Sequence, residues 1–238
     1  MKGFRIIAQT RAPDGALLAL HEHDGEFYLK LNGRQLMSTI ATTSEIMLAE
    51  LACKGLAAMP KARVLIGGLG LGFSLKRALD FAAQDAEVHV AELLPEVVDW
   101  NRDLLRGVNG LLLNDKRVKV LIEDVFETIR RAEKRSYDAI LLDVDNGPTS
   151  FVQPKNARIY DKHGFGLIRR ALKQTGRVSF WSATDEPDFV RHLSRAGFTV
   201  RTVQAKANKH AKRAAHRIYV GDFTPRHFSP AASRPQRD

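Results

Sequence analysis

The sequence predicts an α/β fold: one doubly wound, mostly parallel sheet preceded by a small antiparallel β segment. Three observations predict it. Short strand-like runs punctuated by Asp24-Gly25 and Asn32-Gly33 fill residues 1–43. From residue 62 strand and helix patterns alternate, and the strands are continuous apolar runs such as Ala139-Ile140-Leu141-Leu142, which suit a parallel sheet covered on both faces. The first of these strands runs into a Gly-rich turn, Gly68-x-Gly70-x-Gly72, that opens a helix.

In chain order, Ile6 to Ala8, Ala16 to Leu20 and Phe27 to Leu31 read as strands of an antiparallel meander. Asp-Gly and Asn-Gly tolerate positive φ, so both pairs favour tight hairpin turns. A helix over Ser44 to Met59 follows, with Ser44 as its N-cap. Strands are then predicted at Arg63 to Gly67, Glu87 to Glu92, Val118 to Ile122, Asp138 to Asp143 and Gly176 to Ser182. Helical patterns lie between and after them at Ser74 to Ala83, Pro95 to Arg106, Val125 to Ala132, Asp161 to Lys173 and Pro187 to Ala196. The last two strands, from Phe198 and from Arg217, have no helix between them and predict an antiparallel pair closing the sheet. The implied division is an N-terminal β-hairpin segment at 1–43, a catalytic domain at 44–223 and a disordered basic tail at 224–238, rich in Pro, Ser and Arg.

The 238 residues are 44% hydrophobic, ordinary for a chain with a sizeable core. A single cysteine, Cys53, excludes an internal disulfide and a cysteine-rich zinc site, and no metal is expected. Its solitude fits a reducing, cytoplasmic compartment. The first residues lack the apolar core of a signal peptide and no apolar run approaches 18 residues, so no membrane association is expected. The net charge is +10. Lys206 to Arg217 carries five Lys or Arg and two His without an acid, a cationic turn that either faces solvent or contacts the phosphates of a nucleic acid. It has no interleaved aromatic residues for base stacking.

Glycines at 68, 70 and 72 let the chain turn sharply after a buried strand and bring backbone close to a ligand. A tight βα turn without a ligand would use the same residues. Glu92 ends the second strand about 20 residues further on, where an acid accepts hydrogen bonds from both ribose hydroxyls of an adenosine. Nicotinamide dinucleotides and S-adenosylmethionine are both held this way. The dinucleotide fingerprint needs glycine at 73, which is Phe73, so the spacing leans towards S-adenosylmethionine. Asp124, after the third strand, is placed to accept the adenine amino group or to cap a helix, and both roles are compatible.

With these motifs the chain resembles the spermidine synthase-like branch of class I S-adenosylmethionine-dependent transferases. The likeness runs over about residues 25 to 182: the segment from Tyr28 to Glu50, Gly67 to Gly72, Ala91 to Val98, Glu123 to Ile129, and Ile140 to Pro148. It implies a Rossmann-like class I methyltransferase fold with a mostly parallel seven-stranded sheet. It also implies aminopropyl transfer from decarboxylated S-adenosylmethionine to a polyamine amine, a small-molecule acceptor, in a homodimer. By the same resemblance Asp143 is the catalytic base and Asp145 helps hold the amine, while Gln35 and Tyr160 line the acceptor pocket. The sequence departs from the pattern where the family has a Tyr-His pair, here Leu48 and Ala49, and where it has a loop Asp, here Leu71. These losses leave two alternatives open: a methyltransferase acting on another acceptor, RNA among them, and a non-catalytic module that keeps the fold.

Overall fold

The first sheet follows from its turns. β1 (Arg5–Arg11) pairs with β2 (Leu17–His23), which folds back on β3 (Glu26–Leu31), which folds back on β4 (Arg34–Ser38), all antiparallel. Asp24 and Gly25 hold φ of 50° and 82°, Asn32 and Gly33 48° and 80°, the doubly positive geometry of two-residue hairpin loops. β4 has no counterpart in the predicted runs, because Arg-Gln-Leu-Met-Ser lacks β-branched residues and strict alternation. The computed structural model describes residues 3–144 and 154–223, so the predicted tail lies outside the described residues.

α1 (Thr43–Cys53) corrects two expectations. Its N-cap is Thr42, not Ser44, which is fully buried with its Oγ 2.7 Å from Glu45 Oε2 and 3.0 Å from His216 Nδ1. A hydroxyl committed to those partners cannot cap a helix. The helix also ends six residues before Met59, at Cys53, because Gly55 turns the chain with φ of 95°. Cys53 is buried and its thiol is pushed up to about 12 by desolvation.

The second sheet has the seven strands expected: β5 (Arg63–Gly67), β6 (Glu87–Glu92), β7 (Val118–Ile122), β8 (Tyr137–Leu142), β9 (Leu172–Ser182), β10 (Phe198–Ala205) and β11 (His216–Phe223). Their order is β10-β11-β9-β8-β5-β6-β7. β5 to β9 run parallel, and β11 and β10 close the edge as an antiparallel pair. The connecting helices are α2 (Phe73–Phe81), α3 (Pro95–Asp103), α4 (Arg106–Asn109), α5 (Val125–Arg131), α6 (Lys162–Ala171) and α7 (Pro187–Arg195). Asp161 caps α6 by accepting from the Gly164 N–H at 2.7 Å, and β9 begins at once at Leu172 instead of Gly176.

Alternation along the strands divides the core in two. Leu65, Ile140, Leu142, Val178 and Phe180 pack under α5, α6 and α7 with Phe165 and Phe189. Val64, Ile66, Ala139 and Leu141 face the other way, against Leu48 and Ala52 of α1, Leu75 and Ala78 of α2, and Leu18, Leu20 and Leu29 of the first sheet. The first sheet is thereby fixed over one face of the second. β5 lies between β6 and β8: the chain steps outward from β5 to β6 and β7, then crosses back to β8 on the other side, so the crevice at the carboxyl end of β5 is a topological switch point. Among the described residues no helix is long and apolar enough to cross a membrane.

Leu48 is fully buried in the layer that joins the two sheets. Leu48→Ala is expected to lower unfolding free energy by about 2–5 kcal/mol in urea titration, the transfer and cavity cost of a core leucine.

Candidate functional site

At the switch point Asp143 N–H donates to Gly67 O at 3.1 Å, bringing the ends of β8 and β5 together. A cavity opens there under the first sheet. Gly68 and Gly70 lie on one side, Glu92 to Leu94 and Glu123 to Val125 on the next, and Asp143, Val144 and Asn156 on the third. Leu18, Leu29, Leu31, Leu36 and Met37 roof it. A bulge sets the roof: Leu29 pairs with Met37 and Lys30 with Gln35, so Leu36 is an extra residue and both Leu36 and Met37 reach the cavity.

Glu92 is 8% exposed. Its Oε2 accepts from the Leu69 N–H at 2.8 Å and its Oε1 from the Leu94 N–H at 3.0 Å. Burial pushes its carboxyl above the usual range, and the main-chain donors oppose that shift in part. The main-chain N–H groups of Leu93 and Gly70 also face this carboxylate.

Asp124 caps α5, accepting from the Phe126 N–H at 2.8 Å. Its other oxygen accepts from Arg158 Nη2 at 2.6 Å. Arg158 also reaches Glu127 at 3.3 Å, and its guanidinium lies 4.1 Å from the Phe126 ring centre. Glu123 accepts from the Thr128 hydroxyl at 2.7 Å and pairs with Arg131.

The three glycines differ in what their bare Cα atoms make room for, and a ligand is not the first occupant of any. A Cβ on Gly68 would stand 2.8 Å from Asp143 O, and one on Gly70 2.5 Å from Met37 Sδ. Gly72 corrects the expectation of a three-glycine cradle. It does not line the cavity; its φ is 84° and its Cβ would meet Asn109 Nδ2 at 2.8 Å and Asn101 Oδ1 at 2.9 Å, so it serves the entry into α2. Those asparagines were not foreseen. Asn101 donates to Gly70 O at 2.8 Å and Asn109 to Leu71 O at 2.5 Å, holding the turn from below through contacts that no local pattern announces.

Both residues expected at the acceptor side lie elsewhere. Gln35 is exposed on β4, turned out by the register that turns Leu36 and Met37 in. Tyr160 is buried among Phe180 and Phe189, with ring centres 5.9 and 6.0 Å away, and serves the core. Trp181 is likewise buried, 4.7 Å from the His216 ring and away from the cavity. Leu48, Ala49 and Leu71 are sealed in the core. Asp145 lies outside the described residues.

Charge separates the cavity from the rest of the molecule. Its described lining carries five acids, Asp14, Glu92, Glu123, Asp124 and Asp143, and no Lys, Arg or His. Asp14 was not foreseen; it comes from the β1–β2 turn, where its Oδ1 accepts from the Ala16 N–H at 3.0 Å.

Known proteins resemble this chain in sequence and in fold. The profile described as Spermine/spermidine synthase domain covers residues 46–197. Polyamine aminopropyltransferase 2 of Aquifex aeolicus is 29% identical over 118 residues, 49% of this chain and 22% of that protein. Polyamine aminopropyltransferase 1 of Hyperthermus butylicus is 29% identical over 164 residues, 68% of this chain and 54% of that one. The chain thus spans about a fifth to a half of these relatives' lengths. The structure of spermidine synthase from Thermotoga maritima superposes with a TM-score of 0.70 at 19% identity, over 92% of this chain and 72% of that one, a likeness of fold. These relatives favour neither methyl transfer nor a non-catalytic role.

Gly68→Ala is expected to destabilise the chain by about 1–3 kcal/mol in thermal unfolding, because the new Cβ meets a backbone oxygen at positive φ. Gly107→Ala, in α4 with nothing within 4 Å, does not lower the midpoint.

Proposed function

The chain belongs to the spermine/spermidine synthase family, and from that premise we propose that it transfers an aminopropyl group from decarboxylated S-adenosylmethionine to a polyamine amine. One observation carries the proposal: a cavity whose described lining holds five carboxylates and no cation, in a chain of net charge +10. Such a site attracts a sulfonium and an ammonium, and desolvation under the apolar roof strengthens that attraction. Its described residues offer no cationic side chain to the carboxylate that distinguishes intact S-adenosylmethionine, so the decarboxylated form is the better fit.

Glu92 then holds the ribose hydroxyls, and Asp124 offers a remaining lone pair to the adenine amino group. Backbone at Gly68 and Gly70 lies alongside the donor. The sulfonium, when bound, supplies an activated carbon and leaves as a neutral thioether. The residues need only present an amine in line and free its lone pair. Asp143, at the end of β8, takes the proton that the attacking nitrogen sheds as the carbon–sulfur bond breaks. Asp145 belongs to the same reading as a second group for the amine. A homodimer is part of the proposal too, supported by the exposed Phe4, Ile6 and Ile40 of the N-terminal segment.

Calorimetric titration with both cofactor forms, followed by a product assay with a primary diamine, tests the reading. Tighter binding of the decarboxylated form with aminopropyl product supports it. Tighter binding of the intact form, or of neither, overturns it. Asp143→Asn is expected to lower kcat by about 10²–10⁴-fold with donor affinity preserved. Donor affinity should also fall as pH drops from neutral. Glu92 takes its proton at a higher pH than an ordinary glutamate, and only the carboxylate accepts from both hydroxyls. Glu92→Gln binds more weakly and flattens that pH dependence.

A further inference from the structure

β10 and β11 pair in unbroken register from Phe198 opposite Phe223 to Ala205 opposite His216, so residues 206–215 stand off the end of the sheet as one loop. The loop is held at its base. Ala215 N–H donates to Ala205 O at 3.0 Å, and Thr43 N–H, at the start of α1, donates to Ala207 O at 3.2 Å. Asn208 braces the tip, its side chain accepting from the His210 N–H at 3.0 Å and its carbonyl from the Ala211 N–H at 3.1 Å.

On this braced loop Lys206, Lys209, Lys212 and Arg213 are all exposed. None forms an ion pair with a described residue, and no acid occurs between Asp188 and Asp222 to neutralise them locally. Most other described arginines are tied to carboxylates, as Arg77, Arg117, Arg158 and Arg177 are. Apart from His210 the remaining loop side chains are alanines and one asparagine. The loop therefore has nothing to insert into a bilayer, and His210 and Arg213 are its only groups able to stack on a base. The acidic cavity, by contrast, repels any polyanion.

We propose that this loop is a docking surface for the phosphate backbone of a nucleic acid, bound without sequence preference and apart from the transfer site. Four cations on one protrusion neutralise about four phosphates, and the released counterions make the contact steeply salt-dependent. The surface is independent of the proposed activity, since none of its residues lines the cavity.

The test uses the full chain and fluorescent 20-base-pair duplexes of RNA and of DNA, with anisotropy read across salt concentrations. Three variants are compared: wild type, a quadruple Lys206→Ser, Lys209→Ser, Lys212→Ser, Arg213→Ser loop variant, and a charge-matched control with Lys54, Lys116, Lys119 and Lys134 changed to Ser. The expected slope of log affinity against log salt is about −3.6, or on the order of 100-fold between 50 and 200 mM. The loop variant loses that binding, while the control keeps it and donor binding is unchanged in both. Binding of RNA alone, or of both duplexes, supports the proposal and names the source of the phosphates. Absence of binding by wild type, or equal loss in the loop variant and the control, overturns it.

Discussion

A carboxylate buried without a cationic partner constrains everything around it. Glu92 leaves water at the end of β6, and desolvation disfavours its charge; main-chain N–H groups, from Leu69 in the Gly-rich turn and from Leu94 beyond the strand, bond it on both oxygens. Those bonds are available only if the turn after β5 points its amides back towards β6. That direction requires left-handed backbone at residues 68, 70 and 72, and it needs the carbonyls on the far side of the turn met by Asn101 and Asn109. The turn, the start of α2 and the close approach of β5 to β8 are parts of one solution to a single desolvated charge.

The first sheet contributes more than a cover. Its bulge at Leu36 brings two apolar side chains onto the cavity, one of which, Met37, fills the space that Gly70 leaves. Its first turn delivers Asp14 to the lining. An apolar roof over acidic walls lowers the local dielectric around those charges and strengthens their pull on cations. Arg158 and Arg131 pair with Asp124 and Glu123, which orients those acids. The molecule thus carries two fields of opposite sign, an acidic one inside the crevice and a basic one on the β10–β11 loop.

Legibility in the sequence followed the range of the interactions. Asp24-Gly25 and Asn32-Gly33 announced their hairpins, because positive φ is a property of the residues themselves. The apolar runs of β5 and β8 announced a covered parallel sheet for the same reason. Gln35 and Tyr160 do not line the described cavity, because a one-residue bulge and an aromatic cluster decide where their side chains point. Ser44 had the chemistry of a helix cap but met His216 and Glu45, one of them 172 residues away. Asn101, Asn109 and Arg158 carry no local pattern that announces a site; each acquires its place from a contact across the fold.

By itself the sequence determined the class of fold, the order of its strands and helices, and the acids at the strand ends, because periodicity, turn chemistry and the position of a carboxylate after an apolar strand are local quantities. The tertiary structure decided which of those acids share one cavity and what roofs it. It also decided that Gly72, Leu71 and Leu48 belong to packing and that the strongest basic segment stands clear of the crevice. Those outcomes depend on sheet register and on side chains meeting over long separations in the chain, where a shift of one residue moves a group from the site to solvent.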